Sequence, residues 1–154
     1  MTASLILPSA AATQALAAKL AAHLFPGATL LLQGDLGSGK TTFVQGLAQG
    51  LGIPDVITSP TFNLIHEYQQ GSLVLVHGDL YRLTPEEVLD LGLEEYWDRG
   101  TGVVVIEWPE RLPCWPAEWL WLNFKFLPDQ PQGRELHWQA QGMPHRRLAA
   151  AVLG

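Results

Sequence analysis

The sequence is poor in cysteine, in basic residues and in long apolar runs, and each shortage excludes a class of protein. Its only cysteine, Cys114, cannot form a disulfide within the chain or build a Cys-rich zinc cluster. Basic residues number 9 against 15 acidic ones, and the formal charge of −6 argues against a broad basic surface for nucleic acid. No apolar run approaches about 20 residues, and no basic segment precedes an apolar one at the start, so we expect neither a membrane span nor secretion.

The residues that are present are sufficient for a folded core. The chain has 154 residues, of which 47% are apolar and 16% are charged, a composition typical of globular rather than disordered chains. No internal repeat, low-complexity block or Gly/Ser linker divides the sequence. We therefore predict a single domain over residues 1–154, located in the cytoplasm and not attached to a membrane.

The order of the predicted helices and strands indicates an α/β fold. Periodicity, capping residues and turns predict helices over residues 9–24, 41–51, 84–91 and 145–153. They predict strands over residues 4–8, 28–32, 63–68, 72–77, 101–106, 119–127 and 134–140, the third and fourth pairing as a hairpin. This order predicts a three-layer fold, with a mainly parallel central sheet and antiparallel edge strands.

One segment between a predicted strand and a predicted helix carries a phosphate-binding motif. The sequence GDLGSGKT at residues 34–41 fits the pattern G-x-x-x-x-G-K-[ST], which makes the predicted fold that of a P-loop NTPase. Its glycines allow backbone N–H groups to converge on phosphate oxygens, Lys40 supplies a cation, and the Thr41 hydroxyl can bind Mg²⁺. The predicted nucleotide-binding residues are Gly34, Leu36, Gly37, Ser38, Gly39, Lys40, Thr41 and Thr42.

Two carboxylates follow apolar strands and are candidates for the metal and for the attacking water. Glu107 follows the run Val103–Ile106, and Asp79 follows the run 73–76. Ligands of α/β sheets bind at the carboxyl ends of the strands, so either acid can bind Mg²⁺ or activate water there. The alternative for each is a loop carboxylate that caps a turn. P-loop proteins usually have Asp where this chain has Glu107.

The segment Ser59-Pro60-Thr61 has two readings. Its hydroxyls can sense the γ-phosphate and metal, as switch loops do, or they can stabilise a simple turn. The histidines show no metal-ligand spacing, and we interpret His77 as a strand-end residue without chemistry. The sequence N-K-x-D, which reads guanine, is absent, so the motif favours ATP over GTP.

Four motifs in this order resemble the TsaE family, also called YjeE, of small bacterial P-loop ATPases. They are GDLGSGKTT (residues 34–42), SPTF (59–62), HGDLYRL (77–83) and EWPE (107–110). The first motif occurs in many NTPases, whereas the later three at these spacings are specific. The family often has Gly-Ala-Gly where this chain has Gly-Ser-Gly, at a variable position of the loop.

The resemblance implies a role in the threonylcarbamoyladenosine modification of tRNA. It implies Mg²⁺-dependent ATP hydrolysis that is weak for the isolated protein and is engaged by the partner proteins TsaB and TsaD. It also implies that the protein contacts tRNA only indirectly, through that complex. By motif position, Thr41 and Glu107 would hold Mg²⁺, and Asp79 and Thr61 would lie near the γ-phosphate. Thr13 and Arg134 would match family residues that approach the base.

Two other functions stay open on the residues alone. Compact P-loop chains are often small-molecule kinases, but these usually carry an Arg-rich lid, and the arginines here are scattered singly before Arg146. A nucleotide-controlled assembly factor without useful turnover would need only the phosphate-binding loop.

Overall fold

The computed structural model describes residues 3–58 and 64–154, which form a seven-stranded sheet with helices on both faces. The strands are β1 (Ala3–Leu7), β2 (Thr29–Gly34), β3 (Ile65–Tyr68), β4 (Leu75–Asp79), β5 (Val103–Glu107), β6 (Trp119–Leu127) and β7 (Gln130–Gln141). The helices are α1 (Ala10–Ala21), α2 (Lys40–Gly50), α3 (Pro85–Asp90), α4 (Leu93–Arg99) and α5 (Met143–Val152), with a 3₁₀ turn at Pro109–Arg111. Among the described residues, no helix is long and apolar enough to cross a bilayer.

The sheet has a parallel centre and antiparallel flanks. Its strand order is β1-β7-β6-β2-β5-β4-β3. Strands β6, β2, β5 and β4 run parallel to one another. On one side β7 and β1, and on the other side β3, run antiparallel to their neighbours. The predicted fold class is confirmed.

Two apolar clusters fill the space on either side of this sheet. On one side α1, α2 and α5 pack against alternate residues of the strands, among them Leu32, Val103 and Val105. On the other side α3, α4 and their flanking loops pack against Val104 and Ile106. Strand β5 therefore contributes apolar side chains to both faces, as its continuous apolar run predicts.

Helices α1 and α2 lie unusually close together because α2 carries a glycine at their contact. A Cβ atom on Gly46 would lie 2.5 Å from the carbonyl oxygen of Gln14 and 2.7 Å from its Cα. The facing side of α1 buries small residues, including Thr13 and Ala17, rather than a row of leucines alone. This close contact fixes α1 beside the N-terminal end of α2.

Most element boundaries differ from the prediction by a few residues, and one helix was not predicted. The predicted helix 9–24 ends at Ala21, and β7 extends well beyond the predicted 134–140. The prediction ended the central strand at residue 106, whereas Glu107 is the last residue of β5 itself. Helix α4 was missed because its seven residues lie between Gly92 and Gly100, too short for periodicity to emerge.

Candidate nucleotide-binding site

The carboxyl ends of three adjacent parallel strands meet at one edge of the sheet. Strand β2 leads into the loop 34–39, β5 ends at Glu107 and β4 ends at Asp79. The register pairs Leu32 with Glu107 and Asp79 with Glu107. The candidate acids therefore lie side by side next to the loop, at the edge where α/β sheets bind their ligands.

The loop between β2 and α2 has the backbone curvature that phosphate binding requires. Gly34, Gly37 and Gly39 all have positive φ, at 151°, 76° and 110°. At Gly34 a Cβ would also lie 2.5 Å from Ser38 Oγ and 2.8 Å from the backbone oxygen of Phe124, so no other residue fits. Gly39 is the N-cap of α2, so the loop ends on the positive end of a helix.

Lys40 is the buried cation of the cleft. Its Nζ donates hydrogen bonds to the carbonyl oxygens of Gly34 and, at 3.1 Å, of Asp35. The residue is only 5% exposed. Burial lowers the pKa of Lys40 below its ordinary value, and the nearby carboxylates, Glu107 foremost, partly oppose that shift. A lysine held this way can turn from carbonyl oxygens to phosphate oxygens without leaving the loop.

Glu107 and Thr41 are in contact across the cleft. The Thr41 hydroxyl lies 3.5 Å from Glu107 Oε2 and donates to it. Glu107 is 2% exposed, and its Oε2 also lies 2.5 Å from Nε2 of the fully buried His77. A hydroxyl and a carboxylate are the hard oxygen donors that Mg²⁺ takes from proteins, with phosphates and water completing its shell. The side chains present fit that ion.

Asp79 caps a turn and also lines the cleft. Its Oδ1 accepts a hydrogen bond of 3.0 Å from the backbone N–H of Tyr81, which is the capping role foreseen as the alternative for this acid. The same residue lies on the wall of the cleft together with Lys40 and Glu107. The two readings of Asp79 are therefore compatible, because capping fixes the carboxylate at the wall of the cleft.

Trp108 closes one side of the cleft in a conformation that L-residues seldom adopt. Its φ is 63°, and among the described residues it is the one non-glycine with a positive φ. Its ring centroid lies 4.2 Å from Lys40 Nζ and 4.7 Å from the ring of Tyr81. Backbone strain of this kind concentrates at functional sites. The indole stabilises the lysine cation within the cleft.

Arg134 reaches from β7 to the outside of the phosphate-binding loop. Its Nε donates to the Ser38 carbonyl at 2.9 Å and its Nη2 to the Gly37 carbonyl at 3.1 Å. The guanidinium also lies over the ring of Phe126, 4.6 Å from its centroid. Because peptide groups that point N–H inward point C=O outward, Arg134 binds the side of the loop that phosphate does not use.

The structure gathers most of the predicted residues around one cleft. Its walls include Thr13, Leu36, Gly37, Ser38, Gly39, Lys40, Thr41, Thr42, Asp79, Glu107 and Arg134. Gly34 lies at its base as an acceptor for Lys40. Thr13 is buried in α1, and its hydroxyl donates to the Ser9 carbonyl at 3.3 Å. Thr61, with the rest of the segment 59–63, lies outside the described residues.

Sequence reasoning missed one residue of this site and undervalued another. His77 was interpreted as a strand-end residue without chemistry, yet it contacts Glu107 directly. The available signal was an imidazole in an apolar strand, two residues before Asp79 and hence on the same strand face. Trp108 stands next to Glu107 in the sequence, but its contact with Lys40 depends on a turn that no pattern indicates.

Comparison with known proteins places the chain in a family. A family model described as "Threonylcarbamoyl adenosine biosynthesis protein TsaE" matches residues 7–136. The chain belongs to the TsaE family. The matched range contains the whole cleft, from Thr13 in α1 to Arg134 in β7.

Individual TsaE proteins are similar over a large part of the chain. It is 54% identical over 100 residues to the tRNA threonylcarbamoyladenosine biosynthesis protein TsaE of Nostoc sp., covering 63% of this chain and 62% of that relative. It is 50% identical over 115 residues to the TsaE protein of Synechocystis sp., covering 73% of each. The crystal structure of Bacillus subtilis YdiB superposes with a TM-score of 0.82 at 36% identity, covering 99% of this chain and 94% of that one.

Proposed function

We propose that this protein is a Mg²⁺-dependent ATPase that supports the threonylcarbamoyladenosine modification of tRNA together with the TsaB–TsaD pair. The observation that carries the proposal is the contact of Thr41 with Glu107 beside a glycine-rich loop that contains a buried lysine. A loop of this form provides the phosphate site, and the paired oxygens provide a metal site at its end. Membership of the TsaE family supplies the process in which the nucleotide is used.

Each side chain of the cleft has a task in this proposal. Lys40 would donate to phosphate oxygens in place of the loop carbonyls, while Thr41 and Glu107 would hold Mg²⁺. When bound, that ion would neutralise phosphate charge, including the charge that develops on the leaving ADP. Asp79 orients water at the end of the phosphate chain, since its carboxylate is already fixed by the Tyr81 N–H. Thr13 and Arg134 also line the cleft, and we place the base beside them.

The identity of the partners rests on the resemblance to the TsaE family rather than on a surface of this chain. The Nostoc and Synechocystis relatives are named for the biosynthesis of the modified nucleoside in tRNA. An acidic protein with a formal charge of −6 has little capacity to hold tRNA by itself. We therefore propose that the TsaB–TsaD pair binds the tRNA, so that this protein contacts it only indirectly. We also propose that the protein works in the cytoplasm.

The decisive experiment measures phosphate release from ATP with and without purified TsaB–TsaD. We expect slow turnover by the isolated protein, a clear rise on adding the pair, and dependence on Mg²⁺ in both cases. The variant Glu107→Gln, which keeps the shape and removes the charge, should retain nucleotide binding. It should lose turnover by at least about tenfold, as removal of a metal-binding charge does.

Each contrary result points to a different error. Wild-type turnover in Glu107→Gln would remove Glu107 from the mechanism. Absence of both a complex and stimulation would reject the TsaB–TsaD partnership, and phosphate appearing on a metabolite would establish a kinase instead. Nucleotide-dependent docking with no turnover would identify an assembly factor.

A further inference from the structure

We infer that His77 is a positioning residue that holds the Glu107 carboxylate in place for the metal. In this role it sets the affinity of the nucleotide-bound protein for Mg²⁺ without touching nucleotide or metal. The inference rests on the proposed function, because that function gives Glu107 its metal-binding task. It assigns a role to the buried histidine of β4, for which sequence patterns suggest none.

The contact between the two side chains is short and shielded from water. His77 Nε2 lies 2.5 Å from Glu107 Oε2, and the two residues are 0% and 2% exposed. A carboxylate that binds a metal is ionised and can only accept, so the proton of this contact belongs to Nε2, which donates it. A buried carboxylate without such a donor would be costly, and the other atom that contacts Oε2, the Thr41 hydroxyl, is farther away at 3.5 Å.

The position of His77 in the sheet suits it to hold the Glu107 carboxylate in place. The register places His77 opposite Val105 and Asp79 opposite Glu107 on the neighbouring strand. Alternate residues share a strand face, so His77 lies on the face of β4 that also carries the buried Leu75. Both strands are paired on both sides, which leaves the imidazole little freedom to move. Such a frame holds a carboxylate more firmly than a loop could.

Among the described residues, the ring of His77 makes one hydrogen bond, which is its contact with Glu107. His77 Nδ1 is buried and has no hydrogen-bond partner among the described residues. Leaving such an atom unpaired costs free energy, and an apolar residue would avoid that cost. The imidazole is therefore better explained by what Nε2 does for Glu107 than by packing. Carboxylates that bind metals are commonly fixed by a hydrogen-bond donor behind them.

Two substitutions separate the donor from the bulk of the side chain. His77→Gln keeps an N–H near the place of Nε2, whereas His77→Leu fills similar space without a donor. His66→Leu is the control, because His66 faces His77 across the β3–β4 pair but hydrogen-bonds to Tyr68 instead. The readout is Mn²⁺ binding to the ADP-bound protein, followed by electron paramagnetic resonance, with ADP affinity in EDTA measured in parallel.

We expect the Mn²⁺ dissociation constant to rise about 10- to 100-fold in His77→Leu, to rise no more than about threefold in His77→Gln, and to stay unchanged in His66→Leu. ADP affinity in EDTA should be the same in all four proteins. Equal losses in the Gln and Leu variants, or wild-type Mn²⁺ affinity in His77→Leu, would overturn the inference. So would a parallel loss of metal-free ADP binding, which would show a merely structural role.

A measurement on the unsubstituted protein covers the case in which His77→Leu does not fold. Long-range ¹⁵N–¹H spectra report which ring nitrogen carries a proton, and we expect a proton on Nε2 of His77. A proton on Nδ1 alone would contradict the inference. If wild-type protein with ADP bound takes up no Mn²⁺, the metal role in the proposed function fails. If the wild type binds Mn²⁺ and substitution of His77 does not change the affinity, only the inference is rejected.

Discussion

At the scale of single residues, the cleft is built from buried polar groups that contact one another or the loop backbone. Lys40 donates hydrogen bonds to loop carbonyls, and His77 contacts the carboxylate of Glu107. Arg134 holds the same loop from outside through the carbonyls of Gly37 and Ser38. Local sequence predicts that Lys40 and Glu107 belong to the site, because a motif defines the first and the end of a strand defines the second. It does not predict the role of His77, which depends on how β4 is aligned with β5.

His145 of α5 is a second buried histidine; it contacts the first residue of β2, and it makes stability depend on pH. Its Nε2 accepts a hydrogen bond of 3.0 Å from the Thr29 N–H, so this nitrogen must be unprotonated. Burial lowers the pKa of His145 below its ordinary value of 6.5, and the charge of Glu118 only partly opposes the shift. The neutral ring thus stabilises the fold above that value, and the benefit is lost as the pH falls below it.

We expect the free energy of unfolding to fall between about pH 8 and about pH 5.5, and to fall less in His145→Gln, whose amide oxygen accepts the same bond without titrating. Urea unfolding at the two pH values checks this prediction. The comparison cancels the titration of the other histidines, which both proteins share. Equal pH dependence in the two proteins would show that His145 does not titrate with folding.

At the scale of elements, helices and strands were predictable where one short stretch determines them. The N-terminus of α3 is an example, since its capping box lies wholly within Thr84–Glu87 and forms as expected. Helix α4 and the long β7 were not predictable, because packing on the sheet extends or stabilises segments whose own pattern is weak. The turn at Trp108 escapes sequence analysis for the same reason, since tertiary contacts hold its positive φ.

The contact of α1 with α2 provides a test at this scale. Gly46→Ala should gain roughly 1 kcal/mol from helix propensity, but its Cβ would meet the backbone of Gln14 at 2.5 Å. Backbone atoms cannot move aside as a side-chain end can, so overpacking should win. We expect a net destabilisation of about 1–3 kcal/mol in chemical unfolding.

The exposed Gln49 on the same helix is the matched control for Gly46. Gln49→Ala should change the free energy of unfolding by less than about 0.5 kcal/mol, as surface substitutions do. A Gly46→Ala variant that is as stable as the wild type or more stable would show that the two helices can separate freely.

At the scale of the whole molecule, one sheet edge collects residues that are distant in sequence. Thr13 of α1, the loop before α2, the ends of β4 and β5, and Arg134 of β7 all border the same cleft. The sequence alone predicted that the ligand binds at this edge, because α/β sheets bind ligands at the carboxyl ends of their strands. It could not show that α1 and β7 close the two sides, because that depends on the strand order β1-β7-β6-β2.

A ligand that contacts so many elements should stabilise the entire fold. Nucleotide at about 100 times its dissociation constant would add about 2.7 kcal/mol to the free energy of unfolding. The gain depends on Lys40, because no other lysine or arginine is buried among the described residues.

The central claim is that a nucleotide binds with its phosphates in the loop that contains Lys40. Isothermal titration calorimetry with a non-hydrolysable ATP analogue and Mg²⁺ tests it most directly, on the wild-type protein and on Lys40→Ala. We predict binding of one nucleotide per chain to the wild type and an affinity at least about 100-fold lower in the variant, which corresponds to about 2.7 kcal/mol. Equal affinity in the two proteins, or no binding to the wild type, would contradict the account.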